Sequence, residues 1–184
     1  MAGYTPVCDV GWKAPGFSLL GVDGKTHRLE ERKGSNGTLV MFICNHCPYV
    51  KAVIDRVVRD AKELEALGVR AVAICSNDTS IYPDDSFDNM KRFAEQHGFT
   101  FPYLHDESQD VARAYGAVCT PDFFGFNADL QLQYRGRLDE SGREPAGPHV
   151  RRELFEAMKQ IAESGKGPKD QKPSIGCSIK WKAA

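Results

Sequence analysis

The chain has 184 residues, 41% hydrophobic and 27% charged, the balance of an ordinary globular protein long enough to bury a core of its own. Its formal net charge of −1 excludes a bulk electrostatic case for nucleic acid or an anionic membrane as partner. No run approaches the ~18 apolar residues of a spanning helix, and six cysteines are too sparse for a disulfide scaffold.

In chain order, Met1 to Asp9 has no basic stretch followed by an apolar one, so it does not read as a secretory signal. A cytoplasmic location is the expectation. Phe17 to Leu20 and Thr26 to Leu29 flank Gly21-Val22-Asp23-Gly24 and predict a peripheral hairpin. Thr38 to Cys44 and Val69 to Cys75 are short, evenly apolar and rich in β-formers, as central strands covered on both faces should be. Between them, Val50, Val53, Ile54, Val57, Val58, Ala61, Leu64 and Leu67 recur at helical spacing. They predict a helix over Tyr49 to Leu67, stopped by Gly68. Strand, crossover helix and strand in this order make the two strands parallel.

Further on, Asp84, Asp85 or Ser86 can cap a helix that runs to His97, with Gly98 ending it. Phe101 to Leu104 predicts a short strand and Ser108 to Tyr115 a small helix. Asp122 to Phe126 and Gln131 to Arg135 surround an Asn127-Ala128-Asp129 turn and predict an antiparallel hairpin. His149 to Ser164 predicts the last amphipathic helix. The expectation is an α/β protein with one mixed central sheet, helices on both faces and an N-terminal β-hairpin extension. Residues 1–165 form its domain and 166–184 a C-terminal tail, with Lys166 to Pro173 as the linker-like piece.

The cysteines are Cys8, Cys44, Cys47, Cys75, Cys119 and Cys177, and one pair is close in sequence. In a reducing compartment such a pair reads as redox or metal chemistry before it reads as a staple. Cys44 closes a strand and Cys47 opens a helix, with Pro48 in the first turn, where a missing N–H has no acceptor to lose. The unpaired N–H groups and partial positive charge of a helix N-terminus stabilise a thiolate there. His46 would add positive charge beside both sulfurs. A stabilised thiolate favours the reduced form, which makes the disulfide more oxidising. A structural zinc site would need a second cluster of Cys or His at comparable spacing, and the sequence offers none. No metal and no cofactor are expected.

Gly11-Trp12-Lys13-Ala14-Pro15-Gly16-Phe17-Ser18-Leu19, followed by Asp23-Gly24-Lys25, resembles the opening of the alkyl hydroperoxide reductase/thiol-specific antioxidant family, the peroxiredoxin-like branch of the thioredoxin superfamily. Thr120-Pro121, just before a strand, is similar to the cis-proline of the thioredoxin fold. The resemblance covers the chain from about Val10 to Ile161. It implies a thioredoxin fold, a redox role for Cys44 and Cys47, and a cis bond before Pro121, whose loop lies against the cysteine pair. By the same resemblance to thioredoxin, Cys44 is the attacking thiol and Cys47 the resolving one.

The function implied is a thiol–disulfide oxidoreductase in redox homeostasis, acting on protein or small-molecule disulfides with an upstream thiol reductant. Two alternatives stay open. A thiol peroxidase, acting on hydroperoxides as an antioxidant, would take Cys47 as the peroxidatic residue. Peroxiredoxins carry a Thr three residues before that cysteine and a Pro four residues earlier, positions that here hold Cys44 and Val40. Arg135 or Arg137 would then steady the thiolate, or else close a surface strand. A metal-binding chaperone of this fold is the other alternative, although such proteins carry three residues between the cysteines and this chain carries two. An interaction module without catalysis is disfavoured by the intact pair. Cys119, next to Thr120, and Cys177, in the tail, are auxiliary thiol candidates. Tyr49 would shield the pair or simply pack. Asp78, Asp84, Asp85 and Asp88 read as a helix-capping acidic loop, and His27, His97, His105 and His149 as solvated residues.

Overall fold

The computed structural model describes all 184 residues. In chain order the elements are β1 (Ala2–Tyr4), β2 (Ser18–Gly21), β3 (Thr26–Arg28), α1 (Leu29–Arg32), β4 (Gly37–Phe42) and α2 (Pro48–Glu65). Then come β5 (Val69–Cys75), a 3-10 turn (Pro83–Asp85), α3 (Phe87–His97), β6 (Tyr103–His105) and α4 (Asp110–Tyr115). The chain ends with β7 (Cys119–Thr120), β8 (Asp122–Phe126), β9 (Leu132–Tyr134), α5 (Glu153–Ser164) and β10 (Ile175–Ser178).

The central sheet has seven strands in the order β3-β2-β6-β5-β4-β8-β9. β4, β5 and β6 run parallel, and β8 lies antiparallel on β4. Alternation along β4 explains why both faces are covered. Leu39 and Met41 join Val50, Val53, Ile54, Leu64, Phe93 and Leu154 in a core beneath α2, α3 and α5. Val40 and Phe42 join Phe17, Leu29, Leu104, Tyr115, Phe124 and Phe126 in a second core beneath α1 and α4. Fully burying one such side chain contributes about 1.5–3 kcal/mol, so the sheet is held from both sides. This arrangement, a parallel βαβ half and an antiparallel hairpin half with helices on both faces, is a thioredoxin fold. No helix is long and apolar enough to cross a membrane.

Several expectations shift for identifiable reasons. The N-terminal hairpin is an integral edge, because β2 pairs with β6 through Leu20↔His105 and Gly21↔Leu104. β6 starts at Tyr103, since Pro102 has no N–H for a ladder; its carbonyl still accepts from Ala73 N at 3.0 Å. α5 starts at Glu153, because Arg152 is non-helical (φ −85°, ψ 74°) and its guanidinium ties to Asp60 and Glu63 of α2. His27 is buried, with Nε2 2.9 Å from Asp23 Oδ2, and is not a solvated histidine.

A second sheet went unread in the sequence. β1, β10 and β7 form three antiparallel strands, so both chain termini fold onto the short strand before Pro121. The segment expected as a tail is thus built into the body, with Ile179 buried in the second core.

Candidate active site

β4 delivers the chain to Cys44, and α2 begins just after Cys47, which is the N-cap of that helix with Pro48 in the first turn. The Thr120–Pro121 peptide is cis, and its residues frame the two thiols. Thr120 Oγ1 lies 3.5 Å from Cys44 Sγ, and the Cys47 thiol, when protonated, donates to the Thr120 carbonyl at 3.3 Å. Cys44 and Cys47 are 1% and 0% exposed, so nothing in solution touches either sulfur in this conformation.

The loop between the thiols is pinned from below by Asp85, a residue the sequence presented only as part of a capping loop. Asp85 is wholly buried. It accepts from Asn45 N at 2.8 Å and from Asn77 Nδ2 at 2.9 Å, and its Oδ2 is 2.6 Å from His46 Nδ1. Asn45 donates to the Asp84 carbonyl at 3.1 Å and accepts from Tyr103 Oη at 2.8 Å. The His46 ring stacks on Tyr82, 5.5 Å between centroids and 4° from parallel. His46 was expected to favour both thiolates. It faces Asp85 instead, whose negative charge offsets any positive charge on the ring before it reaches the sulfurs.

The two thiols consequently differ. Cys44 is raised well above the ordinary thiol range by the hydrogen bond in which it gives its proton toward Cys47, by burial and by the Asp85 charge. Cys47 is lowered to about 4, because the Cys44 thiol, the Thr120 hydroxyl, and the thiol and backbone N–H of Cys177 all bond to it, against the opposing cost of burial. The lowered thiol is also the one at the helix N-terminus. Cys75 and Cys119 are fully buried and pushed up to about 12 by burial, as inert packing thiols are.

The remaining candidates sort by contact. Cys177 comes beside the pair, since it pairs with Thr120 in the small sheet and packs against the core that holds both sulfurs. Cys119 lies one residue from Thr120 and directs its Sγ to the Pro121 carbonyl at 3.8 Å. Arg135 does not act on the thiols: it pairs with buried Asp122 at 2.8 Å, donates to the Gly116 carbonyl at 3.0 Å and lies over the Phe124 ring at 4.3 Å. Arg137 pairs with Glu153 at 2.8 Å. Tyr49, with Pro121, Phe123, Tyr4 and Ile175, lines a cleft of 190 Å³ beside the cis-proline. A larger cavity of 710 Å³, lined by Cys8, Gln133, Arg135 and Gln171 among others, includes neither thiol of the pair. Donor atoms of Cys44, His46 and Asp85 lie within 4.8 Å of one another. That is three donors, against the four of a structural zinc site.

Comparison with known proteins finds the following similarities. Residues 10–135 match the AhpC/TSA family. The chain is 48% identical to an uncharacterized conserved protein from Geobacillus kaustophilus of known structure, with a TM-score of 0.94 over 100% of this chain and 98% of that one. It is 34% identical to the hypothetical protein SMc02350 from Sinorhizobium meliloti 1021, with a TM-score of 0.89 over 98% of each chain. Among curated proteins it is 29% identical over 122 residues to the thiol-disulfide oxidoreductase ResA of Geobacillus thermodenitrificans. That alignment spans 62% of each chain, so this chain matches about three-fifths of the relative's length.

Proposed function

The chain belongs to the AhpC/TSA family, and on that premise we propose that it is a thiol–disulfide oxidoreductase whose redox couple is Cys44 and Cys47. The observation that carries the reading is Cys47 at the N-cap of α2, framed together with Cys44 by the cis Thr120–Pro121 peptide, a setting in which its thiol is lowered. The thiolate is the nucleophile in disulfide exchange. Cys47 therefore attacks one sulfur of a substrate disulfide, whose other sulfur leaves as a thiolate and takes up a proton. Cys44 then loses its proton and attacks Cys47 Sγ. The second substrate thiol leaves, and the Cys44–Cys47 disulfide remains for an upstream thiol reductant to open. This inverts the roles that the resemblance to thioredoxin implies, because Cys47 is the thiol that caps α2, while the hydrogen bond toward Cys47, burial and the Asp85 charge all raise Cys44. The cleft of Pro121, Phe123 and Tyr49 offers apolar contact for a substrate side chain. Action in the cytoplasm is part of the proposal, since a reducing compartment suits a chain with buried unpaired thiols such as Cys75 and Cys119.

The same lowered Cys47 supports a second reading, a thiol peroxidase. There the thiolate attacks the terminal oxygen of a hydroperoxide, the alcohol leaves, and Cys44 condenses with the resulting sulfenic acid to release water. Against it stand Cys44 and Val40 at the positions where peroxiredoxins carry Thr and Pro. One stopped-flow experiment decides. Reduced protein is mixed separately with an insulin-type disulfide and with hydrogen peroxide. Disulfide reduction lost in Cys47→Ser, stalled at a mixed disulfide when Cys44 and Cys177 are both replaced by Ser, and peroxide consumed only at a free-thiol rate establish the oxidoreductase. Rapid peroxide consumption that survives Cys44→Ser in a single turnover establishes the peroxidase. Metal titration of the reduced protein tests the chaperone alternative in the same preparation.

A further inference from the structure

The two thiols of the couple are sealed, and the seal is a piece of the chain's own C-terminal segment that itself carries a cysteine. β10 lies antiparallel on β7 in a register that sets Cys177 opposite Thr120 and Ser178 opposite Cys119. Its approach is closer than any residue but glycine allows. A Cβ at Gly176 would stand 2.0 Å from the Thr120 carbonyl oxygen and 3.1 Å from Pro121 N. The strand is fastened along its length. Ser174 Oγ donates to the Pro121 carbonyl at 2.9 Å, Thr5 N to the Ser174 carbonyl at 2.9 Å, Ile179 N to the Val118 carbonyl at 3.2 Å, and Lys180 N to Asn77 Oδ1 at 2.9 Å. Cys177 is thereby set opposite Thr120, whose carbonyl accepts from the Cys47 thiol, and it packs against the core that holds Cys44 and Cys47. Of the three clustered thiols it alone is partly exposed; Cys44 and Cys47 are buried.

Taking the Cys44–Cys47 couple of the proposed function as given, we propose that Cys177 is a third redox thiol of this centre, carried on a tethered strand that occupies the edge a substrate polypeptide would use. An extended chain bringing a disulfide to Cys47 would add itself to β7, since that is the strand edge beside the sulfur, and main-chain pairing to such an edge is a common mode of peptide recognition. β10 holds that edge already. In the oxidised centre, Cys177 loses its proton and its thiolate attacks Cys47 Sγ. The Cys44–Cys47 bond breaks, the Cys47–Cys177 bond forms, and the electron pair leaves on Cys44 Sγ, which takes up a proton. One disulfide replaces another, so no further oxidant is needed. The exchange moves the oxidising equivalent from a bond between two buried cysteines to one that includes a partly exposed cysteine, where a thiol reductant or substrate can reach it. The substrate class follows: extended polypeptide thiols or disulfides that compete with β10 for the β7 edge.

The test oxidises full-length protein with oxidised glutathione, traps free thiols by alkylation in acid, and maps disulfides by mass spectrometry of non-reduced peptides. In Cys44→Ser, the expected product is a Cys47–Cys177 crosslink, because a docked thiol outcompetes millimolar glutathione by about ten-fold or more through its effective concentration. Adding Gly176→Ala, which keeps the thiol but blocks docking, should lower that crosslink by a similar factor and raise the Cys47–glutathione adduct. Circular dichroism of each variant confirms that the fold is kept, and Ser174→Ala, which removes the bond fastening the strand to the Pro121 carbonyl, serves if Gly176→Ala is unstable. Cys44→Ser ending as the Cys47–glutathione adduct, with Cys177 alkylated, would overturn the proposal. So would a crosslink indifferent to both Gly176→Ala and Ser174→Ala. Wild-type protein separates the two readings: a Cys44–Cys47 disulfide there, without the crosslink in Cys44→Ser, leaves the oxidoreductase standing and removes Cys177 from it. Absence of both the Cys44–Cys47 and the Cys47–Cys177 disulfide from oxidised wild-type protein defeats the underlying couple itself.

Discussion

Asp85 shows how much of this centre is set by single residues that carry no signature. Its carboxylate receives Asn45 N and Asn77 Nδ2 while fully buried, which fixes the loop between the cysteines. It also raises the Cys44 thiol by charge. Asp85→Asn should therefore do two separable things. Replacing an acceptor oxygen by a donor amide leaves buried partners unpaired, at a cost of about 1–3 kcal/mol in chemical denaturation. In a Cys47→Ser background, the pH midpoint for alkylation of Cys44 should fall, because the charge that keeps it protonated is gone. An unchanged midpoint would show that Asp85 only holds the loop. The sequence placed Asp85 among four aspartates of an exposed-looking segment. Nothing local distinguishes it from Asp84, which is exposed.

At the scale of elements, long patterned segments were legible and short unpatterned ones were not. β5 and β8 run over the residues that hydrophobic runs mark out, and α2 differs by a residue or two at each end. β1, β7 and β10 have three, two and four residues and no apolar alternation, so only their partners define them. Arg135, just past β9, illustrates the same limit. The sequence offered it as a thiolate stabiliser or a surface strand end, and it is neither, being 8% exposed and paired with Asp122 of β8. Arg135→Ala should leave a buried carboxylate unpaired and cost about 3–5 kcal/mol in stability. The rate at which folded protein reacts with a small disulfide should stay as it was. A slower reaction in the folded fraction would restore the catalytic reading of Arg135.

For the molecule as a whole, the lowered Cys47 couples folding to pH and to redox state. In the reduced protein Cys47 is ionised in the native state down to about 4, while in the unfolded chain it holds its proton until the ordinary thiol range near ~8.5. Between those values the unfolded state binds the additional proton, so the Cys47 contribution grows as pH rises and is lost as pH falls toward 4. Relative to Cys47→Ser, reduced wild-type protein should gain stability with pH across that window, with a slope of at most about 1.4 kcal/mol per pH unit. Above it the difference levels off, while the stability of both proteins falls, because Cys177, raised to about 11, and Cys119, raised to about 12, hold protons that the unfolded chain releases. Urea denaturation at several pH values checks both limbs, and a flat difference below neutrality would refute the lowered Cys47. The same preference for the thiolate predicts that reduced protein melts above oxidised protein near neutral pH, as a centre with an oxidising disulfide requires.

The sequence by itself determined the two-faced sheet, the parallel βαβ unit, and a cysteine pair where a strand hands over to a helix. All of these follow from hydrophobic period and from residues adjacent in the chain, such as Cys47 and Pro48. Only the tertiary structure decided that the cis Thr120–Pro121 peptide frames both thiols, that Asp85 underlies the loop between them, and that Cys177 lies opposite Thr120. Those outcomes depend on burial and on hydrogen bonds between residues far apart in the chain. They are energies of the assembled site, and no local pattern encodes them.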